Sequence, residues 1–338
     1  MCRSDSALDE RFGIRRGRRV LRRYRRRVAL VDSELAHTLP LGDGVVEWEA
    51  VGDGPPLIWV EGGPGIWAHL ARPDVALIQD IFRCHLVNAP GCGRTSPPAE
   101  PSGYELAALI DWWERVRKAL GFDRVSIMGH SWGGVVAPAW AAAHPESIER
   151  LVVINGYPGG MDNNPGIDQE RATAERERNL ARHAGKDYYD AGVKALNDEE
   201  AQYESGIEIS EEEGTASYRP AWPLYFSDPT SPLSAPHVRR IQDDFRVNMD
   251  IQLAWYGPQD PIDARTNTLP TLSAVRCPTL VIAGAHDIVC GPEWNKPIAR
   301  AIRDARYVEI GNAGHLPQYE QPEAVRTALL DWLTATRT

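Results

Sequence analysis

Apolar runs and amphipathic stretches follow one another in a regular order along this 338-residue chain. Short apolar runs are typical of buried strands, and apolar residues three or four positions apart are typical of helices. The runs that predict strands are 57–60, 84–88, 124–128, 151–155, 278–283 and 306–310. Helices are predicted near 73–81, 102–120, 135–143, 297–302 and 322–333. The alternation of strand and helix predicts an α/β fold with a mostly parallel sheet.

The N-terminal part of the predicted sheet has a different pattern. Residues 44–50 alternate between apolar and polar positions, and the Gly- and Pro-rich segment 52–56 predicts a turn before 57–60. We therefore expect 44–50 and 57–60 to form an antiparallel hairpin that leads into the parallel sheet.

The alternation of strand and helix stops after Gly159. From 161 to about 272 the chain has charged helical stretches, an acidic run at 197–213 and a Pro- and aromatic-rich run at 218–229. A mainly helical insertion between sheet strands predicts a lid over the strand ends. The expected organisation is an extension at 1–38, a core formed by 39–160 and 273–338, and a helical cap at 161–272.

Charge is unevenly distributed along the chain. The net charge is −10, but residues 1–27 contain eleven arginines and three acidic residues, which leaves −18 for the remainder. The acidic charge of residues 28–338 disfavours nucleic acid as the main partner. We expect the basic arm, residues 1–27, to be a solvated extension. A contact of the arm with nucleic acid or an anionic membrane stays open. A twin-arginine export signal is disfavoured, because only 28–31 is apolar after the arginines.

The sequence also narrows the cellular location. No stretch approaches the roughly 20 apolar residues of a membrane-spanning helix. The five cysteines are odd in number and lack C-x-x-C spacing, which disfavours a disulfide framework and a zinc site. A reducing cytoplasm is therefore the expected location.

Residues 129–134 read GHSWGG, and the first five match the G-x-S-x-G nucleophile elbow with Ser131 at its centre. They lie between the predicted strand 124–128 and the predicted helix 135–143, which is the context that the motif requires. Glycines on both sides let the chain turn where a side chain would collide with the returning backbone. We predict that Ser131 is a nucleophile, and a purely structural turn is the alternative.

A serine hydroxyl needs a general base within reach and a third group that orients the base. Asp287 and His315 each follow a separate predicted strand, as Ser131 does. We therefore predict a catalytic Ser131, Asp287 and His315. His286 is expected to be a loop residue, and His130 is expected to pack beneath the elbow.

The oxyanion that forms when Ser131 attacks a carbonyl group needs fixed hydrogen-bond donors. Residues 61–65, EGGPG, follow the strand 57–60, and glycines there let backbone N–H groups approach a ligand closely. We expect the donors to be the backbone N–H groups of Trp132 and Gly63.

Aromatic and acidic side chains near the predicted site are candidates for substrate contacts, and they favour an apolar or cyclic substrate over a highly charged one. Acidic runs are also typical of a solvated face, so a role in holding an amine is one of two interpretations. The candidates are Trp67, Trp132, Trp222, Tyr225 and Phe226 for apolar contacts, Glu204, Glu208 and the run 211–213 for an amine, and Glu61 for an amine or a proton.

From about residue 40 to its C-terminus the chain resembles the α/β-hydrolase superfamily and, within it, the proline iminopeptidases. The resemblance rests on the glycine loop 62–65, Gly91-Cys92-Gly93-Arg94 with Ser96, the GHSWGG motif, Asp287, and Gly314-His315 with Glu320 and Pro322. It implies an eight-stranded sheet, a helical cap after the sixth strand, a Ser131/Asp287/His315 triad in that chain order, and no cofactor.

Two loops depart from the iminopeptidase pattern. Glu61 stands where the family has histidine, and Asn88 and Pro90 stand where an aspartate and an arginine are usual. Neither departure removes a backbone donor, so hydrolysis remains feasible, but both weaken the specific case for cleavage after an N-terminal proline.

The expected function is that of a serine hydrolase that cleaves an amide, peptide or ester bond of a small molecule or short peptide through an acyl-enzyme. One alternative is an esterase or lactonase without peptidase activity. Another is a non-hydrolytic enzyme of cyclisation or elimination, or a ligand-binding protein, on the same scaffold.

Overall fold

The computed structural model describes residues 35–336, so the basic arm at 1–27 lies outside the described residues. The strands are β1 (His37–Leu41), β2 (Gly44–Val51), β3 (Pro56–Val60), β4 (Arg83–Val87), β5 (Val125–His130), β6 (Ile148–Ile154), β7 (Thr279–Gly284) and β8 (Arg306–Ile310). They form one sheet in the order β1-β2-β4-β3-β5-β6-β7-β8. β2 runs antiparallel to β1 and β4, and all other neighbours are parallel. The predicted eight-stranded, mostly parallel α/β sheet is confirmed.

The predicted hairpin between 44–50 and 57–60 is wrong. β2 pairs with β1 on one side and with β4 on the other, and β3 lies between β4 and β5, parallel to both. The physical reason is burial, because residues 57–60 of β3 are all buried. A strand that is buried on both faces belongs in the interior of a parallel sheet rather than in a hairpin at its edge.

In chain order the α-helices are α1 (Arg72–Ala76), α2 (Leu106–Ala119), α3 (Gly133–Ala143), α4 (Gln169–Leu180), α5 (Tyr189–Ser205), α6 (Glu211–Tyr218), α7 (Ser234–Asp244), α8 (Met249–Tyr256), α9 (Pro292–Ala301), α10 (Pro317–Glu320) and α11 (Pro322–Ala335). Short 3₁₀ helices are Ala68–Ala71, Pro101–Tyr104, Ala181–His183, Trp222–Tyr225, Asp263–Arg265 and Leu269–Ala274. Helices α4 to α8 lie between β6 and β7, where the sequence predicts the cap. The exact limits of that cap stay a prediction.

Apolar side chains cover both faces of the sheet. Along β3, Ile58 and Val60 belong to one buried cluster, which Trp113 of α2 also joins, whereas Trp59 belongs to the other, with Trp332 of α11. Successive residues of a strand point to opposite faces, so one buried strand contributes to both clusters. Burial of each large apolar side chain contributes about 1.5–3 kcal/mol.

Strands β3, β5, β6, β7 and β8 are parallel, and their carboxyl ends meet at one edge of the sheet. The loops that leave this edge after β3, β5, β7 and β8 carry Glu61, Ser131, Asp287 and His315, respectively. Open α/β sheets bind ligands at this edge. None of the helices within residues 35–336 has the length and apolar character needed to cross a membrane.

Candidate active site

Ser131 occupies a sharp turn between β5 and α3. Its φ is 54°, in the left-handed region that costs a non-glycine residue roughly 1–2 kcal/mol. A Cβ at Gly129 would lie 2.1 Å from the carbonyl oxygen of Gly133, and a Cβ at Gly133 would lie 2.1 Å from that of Val60. The packing of the elbow therefore requires glycine at both positions, and it presents Ser131 at the sheet edge.

Asp287 and His315 form a buried pair next to the elbow. His315 Nδ1 donates to Asp287 Oδ2 at 2.8 Å, and the backbone N–H of Val289 donates to Asp287 Oδ1 at 2.7 Å. Burial lowers the pKa of His315, although the Asp287 carboxylate acts in the opposite direction. A neutral imidazole with Nδ1 as donor leaves Nε2 as an acceptor, which is the state of a general base.

Ser131 and His315 line the same cavity. Burial raises the pKa of the Cys290 thiol well above its usual value, and a hydrogen bond with the Ser131 hydroxyl acts in the opposite direction. Within the described residues no hydrogen bond joins the Ser131 hydroxyl to His315. Such bonds are often long before substrate binds and shorten in the reacting complex.

The loop after β3 approaches the nucleophile closely. A Cβ at Gly62 would lie 3.1 Å from the Cβ of Ser131, and Gly63 has a φ of 117° that favours glycine. The Gly62 N–H donates to Glu61 Oε1 at 2.9 Å. Among the described residues, neither the Gly63 N–H nor the Trp132 N–H has an acceptor. Both are available in the role that the sequence predicts for them.

Glu61 binds neighbours of the elbow. Its Oε2 accepts from Trp59 Nε1 at 3.0 Å, and its Oε1 lies 3.9 Å from Nδ1 of His130. Burial acts to lower the pKa of His130, but the Glu61 carboxylate, together with the backbone oxygen of His315 and the Asp74 carboxylate, raises it above its usual value. His130 Nε2 donates to the backbone oxygen of His315 at 2.9 Å. His130 is thus buried beside His315, with Glu61 as its counter-ion, and it also lines the cavity.

Asp74 is a cavity residue that sequence reasoning missed. It accepts from Gln318 Nε2 at 2.6 Å and from the Tyr319 hydroxyl. Burial, and then repulsion from Glu61, raises the pKa of this carboxyl to about 7. A lone aspartate in a predicted short helix gives no sequence signal of this environment, because its partners come from α10, which follows the loop of His315.

The cavity has a volume of about 460 Å³. Acidic side chains that line it include Glu61, Asp74, Asp162, Glu199, Glu204 and Asp263. Arg176 is the only arginine or lysine among the described lining residues. The cavity is therefore acidic, and it attracts cationic groups.

Four of the predicted substrate contacts line the cavity: Glu61, Glu204, Trp222 and Tyr225. Trp67, Glu208 and Phe226 do not. Phe226 is fully buried and stacks on Tyr319, Trp67 packs edge-on against His69, and Glu208 is exposed in the loop between α5 and α6. The indole of Trp132 is likewise in the core, 5.1 Å from that of Trp255 between ring centroids.

The acidic run 211–213 has a structural role at the start of α6. Glu213 accepts from the Ser210 N–H at 2.9 Å, and its own N–H donates to the Ser210 hydroxyl at 3.2 Å. This reciprocal pair is a capping box, which satisfies two otherwise unpaired donors of the helix. Three other glutamates of the insertion do line the cavity, and they lie one helix earlier, at Glu199, Glu200 and Glu204 of α5.

Comparison with known proteins identifies one fold family and relatives that are named for different activities. The family model described as alpha/beta hydrolase fold matches residues 55–322. A proline iminopeptidase of Neisseria gonorrhoeae is 36% identical over 115 residues, which cover 32% of this chain and 35% of that protein. The match thus spans about a third of the length of the iminopeptidase.

Other relatives match over a greater length. A putative carbamate hydrolase of Caulobacter sp. (strain K31) is 25% identical over 280 residues, 81% of this chain and 87% of that protein. An α/β fold family hydrolase from Bacillus anthracis str. Sterne superimposes with a TM-score of 0.67 at 19% identity, over 88% of this chain and 98% of that one. The chain belongs to the α/β hydrolase fold family and is related to the proline iminopeptidases.

Proposed function

We propose that this protein is a serine hydrolase that acts through an acyl-enzyme, with Ser131 as nucleophile, His315 as base and Asp287 as the group that orients the base. The observation that carries the proposal is the 2.8 Å contact between His315 Nδ1 and Asp287 Oδ2 at a cavity that Ser131 also lines. Burial and hydrogen bonding fix the imidazole in one tautomer, and this prepares Nε2 to take a proton.

The reaction proceeds in two halves. Ser131 Oγ attacks the substrate carbonyl carbon while His315 Nε2 takes the hydroxyl proton, and the N–H groups of Gly63 and Trp132 bind the oxyanion. His315 then gives the proton to the leaving amine or alcohol as the carbon–heteroatom bond breaks. In the second half, water loses a proton to His315 and attacks the acyl carbon, after which the acid leaves and Ser131 regains its proton.

The charge of the cavity supports a substrate with a free amine. Glu199 and Glu204 come from α5, and Glu199 lies 3.0 Å from the Tyr203 hydroxyl. Burial raises the pKa of Glu199, and a bound ammonium group would favour its ionised form. Trp222 and Tyr225 line the same cavity and provide apolar contact. An aminoacyl amide or a related small amino ester combines these features.

The test is hydrolysis by the purified protein of a panel of substrates. The panel contains prolyl and other aminoacyl amides, the same amides with an N-acetylated amine, and simple esters and lactones. We expect the free amine to give a higher kcat/KM than its acetylated counterpart. Hydrolysis of esters or lactones alone would contradict the amine preference, and no hydrolysis of any compound would contradict the proposal.

A further inference from the structure

Glu320 lies five residues after His315 and is buried, with 4% of its surface exposed. Its Oε1 accepts from the backbone N–H of Gly314 at 2.6 Å. Its Oε2 accepts from the backbone N–H groups of Ser227 at 2.8 Å and Asp228 at 3.2 Å. One carboxylate therefore joins the loop that carries His315 to a segment of the insertion between β6 and β7.

The same segment, 225–228, contacts the loops that carry Asp287 and His315. The His315 N–H donates to the backbone oxygen of Tyr225 at 2.7 Å. The Ser227 hydroxyl lies 2.6 Å from Nδ1 of His286, the neighbour of Asp287. A Cβ at Gly314 would lie 2.4 Å from the Tyr225 oxygen, so only glycine permits this close approach. Contacts with 225–228 thus fix the backbone of Gly314 and His315.

These three bonds need a carboxylate. An ionised carboxyl group has only acceptors, and N–H bonds to it are stronger than those to a neutral group. A protonated acid or an amide would turn one of its acceptors into a donor that faces backbone N–H groups.

We propose that Glu320 is a positioning residue, which connects the insertion to the histidine loop and holds His315 in the orientation that accepts the Ser131 proton. This inference rests on the proposed function. Segment 225–228 then contributes to the orientation of His315 as well as to the lining of the cavity through Tyr225.

The surroundings of Glu320 make this connection sensitive to pH. Burial raises the pKa of Glu320 to about 7, the three backbone N–H groups act to lower it, and the Asp228 carboxylate adds to the rise. Other titratable or charged groups on the elements around it include Tyr225, His286, His315, Tyr319, Glu323 and Arg326. Arg240 of α7 donates to the Tyr319 hydroxyl at 3.1 Å. As pH falls through about 7, Glu320 takes up a proton and the connection weakens.

The test compares Glu320→Gln with Glu323→Gln, an exposed position three residues further along. The readout is the second-order rate of Ser131 labelling by a fluorophosphonate, which needs His315 as base. We expect Glu320→Gln to slow labelling about 100-fold at about pH 8, the effect of a displacement of roughly 1 Å. Glu323→Gln should label at the wild-type rate. The difference between wild type and Glu320→Gln should narrow from about pH 8 to about pH 6, because wild-type Glu320 becomes neutral.

A second measurement needs no variant. Hydrogen exchange of the wild-type amides of Gly314, Ser227 and Asp228, corrected for intrinsic rates, should lose protection as pH falls through about 7. Protection that does not change, or equal labelling of the two variants, would overturn the inference. Absence of Ser131 labelling in the wild type would instead contradict the proposed function, and the exchange measurement would still decide whether Glu320 makes this connection.

Discussion

The imidazole of His315 donates from Nδ1 to Oδ2 of Asp287 at 2.8 Å, although the two residues lie 28 positions apart on loops after β8 and β7. The contact determines the tautomer of the imidazole, because Nδ1 must carry the proton. The second nitrogen is then an acceptor at a cavity that Ser131 lines.

Asp287→Asn should leave the fold intact and abolish most of the activity. The amide oxygen can still accept from the Val289 N–H, whereas the amide nitrogen would face His315 Nδ1 and favour the wrong tautomer. In serine hydrolases with a Ser-His-Asp triad, the equivalent change lowers kcat by about 10⁴-fold. Steady-state kinetics and thermal unfolding of the variant check this, and a loss of less than about tenfold would contradict the role of Asp287.

Glu61→Gln should change the titration of two histidines. Without the carboxylate, burial dominates and the pKa of His130 falls. Because the charge on His130 lowers the pKa of His315, a neutral His130 allows that pKa to rise. The acid limb of kcat/KM should therefore move to higher pH. NMR titration of labelled histidines measures both shifts, with Glu323→Gln as control, and an unchanged His130 would contradict the ion pair.

Asp74→Asn should stabilise the protein at alkaline pH relative to the wild type. Burial raises the pKa of Asp74 to about 7 in the folded state, whereas an unfolded aspartate releases its proton near pH 3.8. Folding stability from this group is therefore lost as pH rises between these values, by up to about 4 kcal/mol. Chemical denaturation of both proteins across this range measures the difference in their free energies of unfolding. A difference that does not vary with pH would contradict the raised pKa of Asp74.

Glu199→Gln should raise KM for a substrate with a free amine by about tenfold, equivalent to about 1.4 kcal/mol. Burial makes this carboxylate the stronger candidate for an ammonium contact than the exposed Glu204. Glu208→Gln is the matched control, since Glu208 lies outside the cavity. Equal KM values for the two variants, or an equal rise with an amine-blocked substrate, would contradict amine binding at Glu199.

The sequence predicts the strands and the positions at their ends better than the contacts between distant segments. Strand β8 has the predicted limits 306–310, and Ser131, Asp287 and His315 lie after the strands that the apolar pattern indicates. By contrast, helix 73–81 is reduced to Arg72–Ala76, and helix 102–120 begins at Leu106. The spacing of apolar residues does not show where an N–H group bonds to the carbonyl three residues earlier, as in a 3₁₀ turn, instead of four residues earlier. Leu77 and Ile78 make bonds of the shorter kind.

The environment of the site depends on contacts that no local pattern encodes. Asp74 acquires its environment from Gln318 and Tyr319, which are distant in the chain. Likewise, α5 places Glu199 at the cavity and leaves Glu208 in solvent, although the two glutamates lie in one acidic run. The insertion is mainly helical, so the rule that the ends of parallel strands meet at one edge does not apply to its side chains. The sequence alone therefore does not distinguish side chains that line the cavity from those exposed to solvent.

We propose that Ser131 is a nucleophile activated by His315. A fluorophosphonate tests it directly, because attack by Ser131 Oγ forms an O–P bond, releases fluoride and passes the hydroxyl proton to His315. We predict a stoichiometric adduct that mass spectrometry locates on Ser131 and that Ser131→Ala abolishes. A folded wild-type protein that forms no adduct, or an adduct that persists in Ser131→Ala, would contradict the claim.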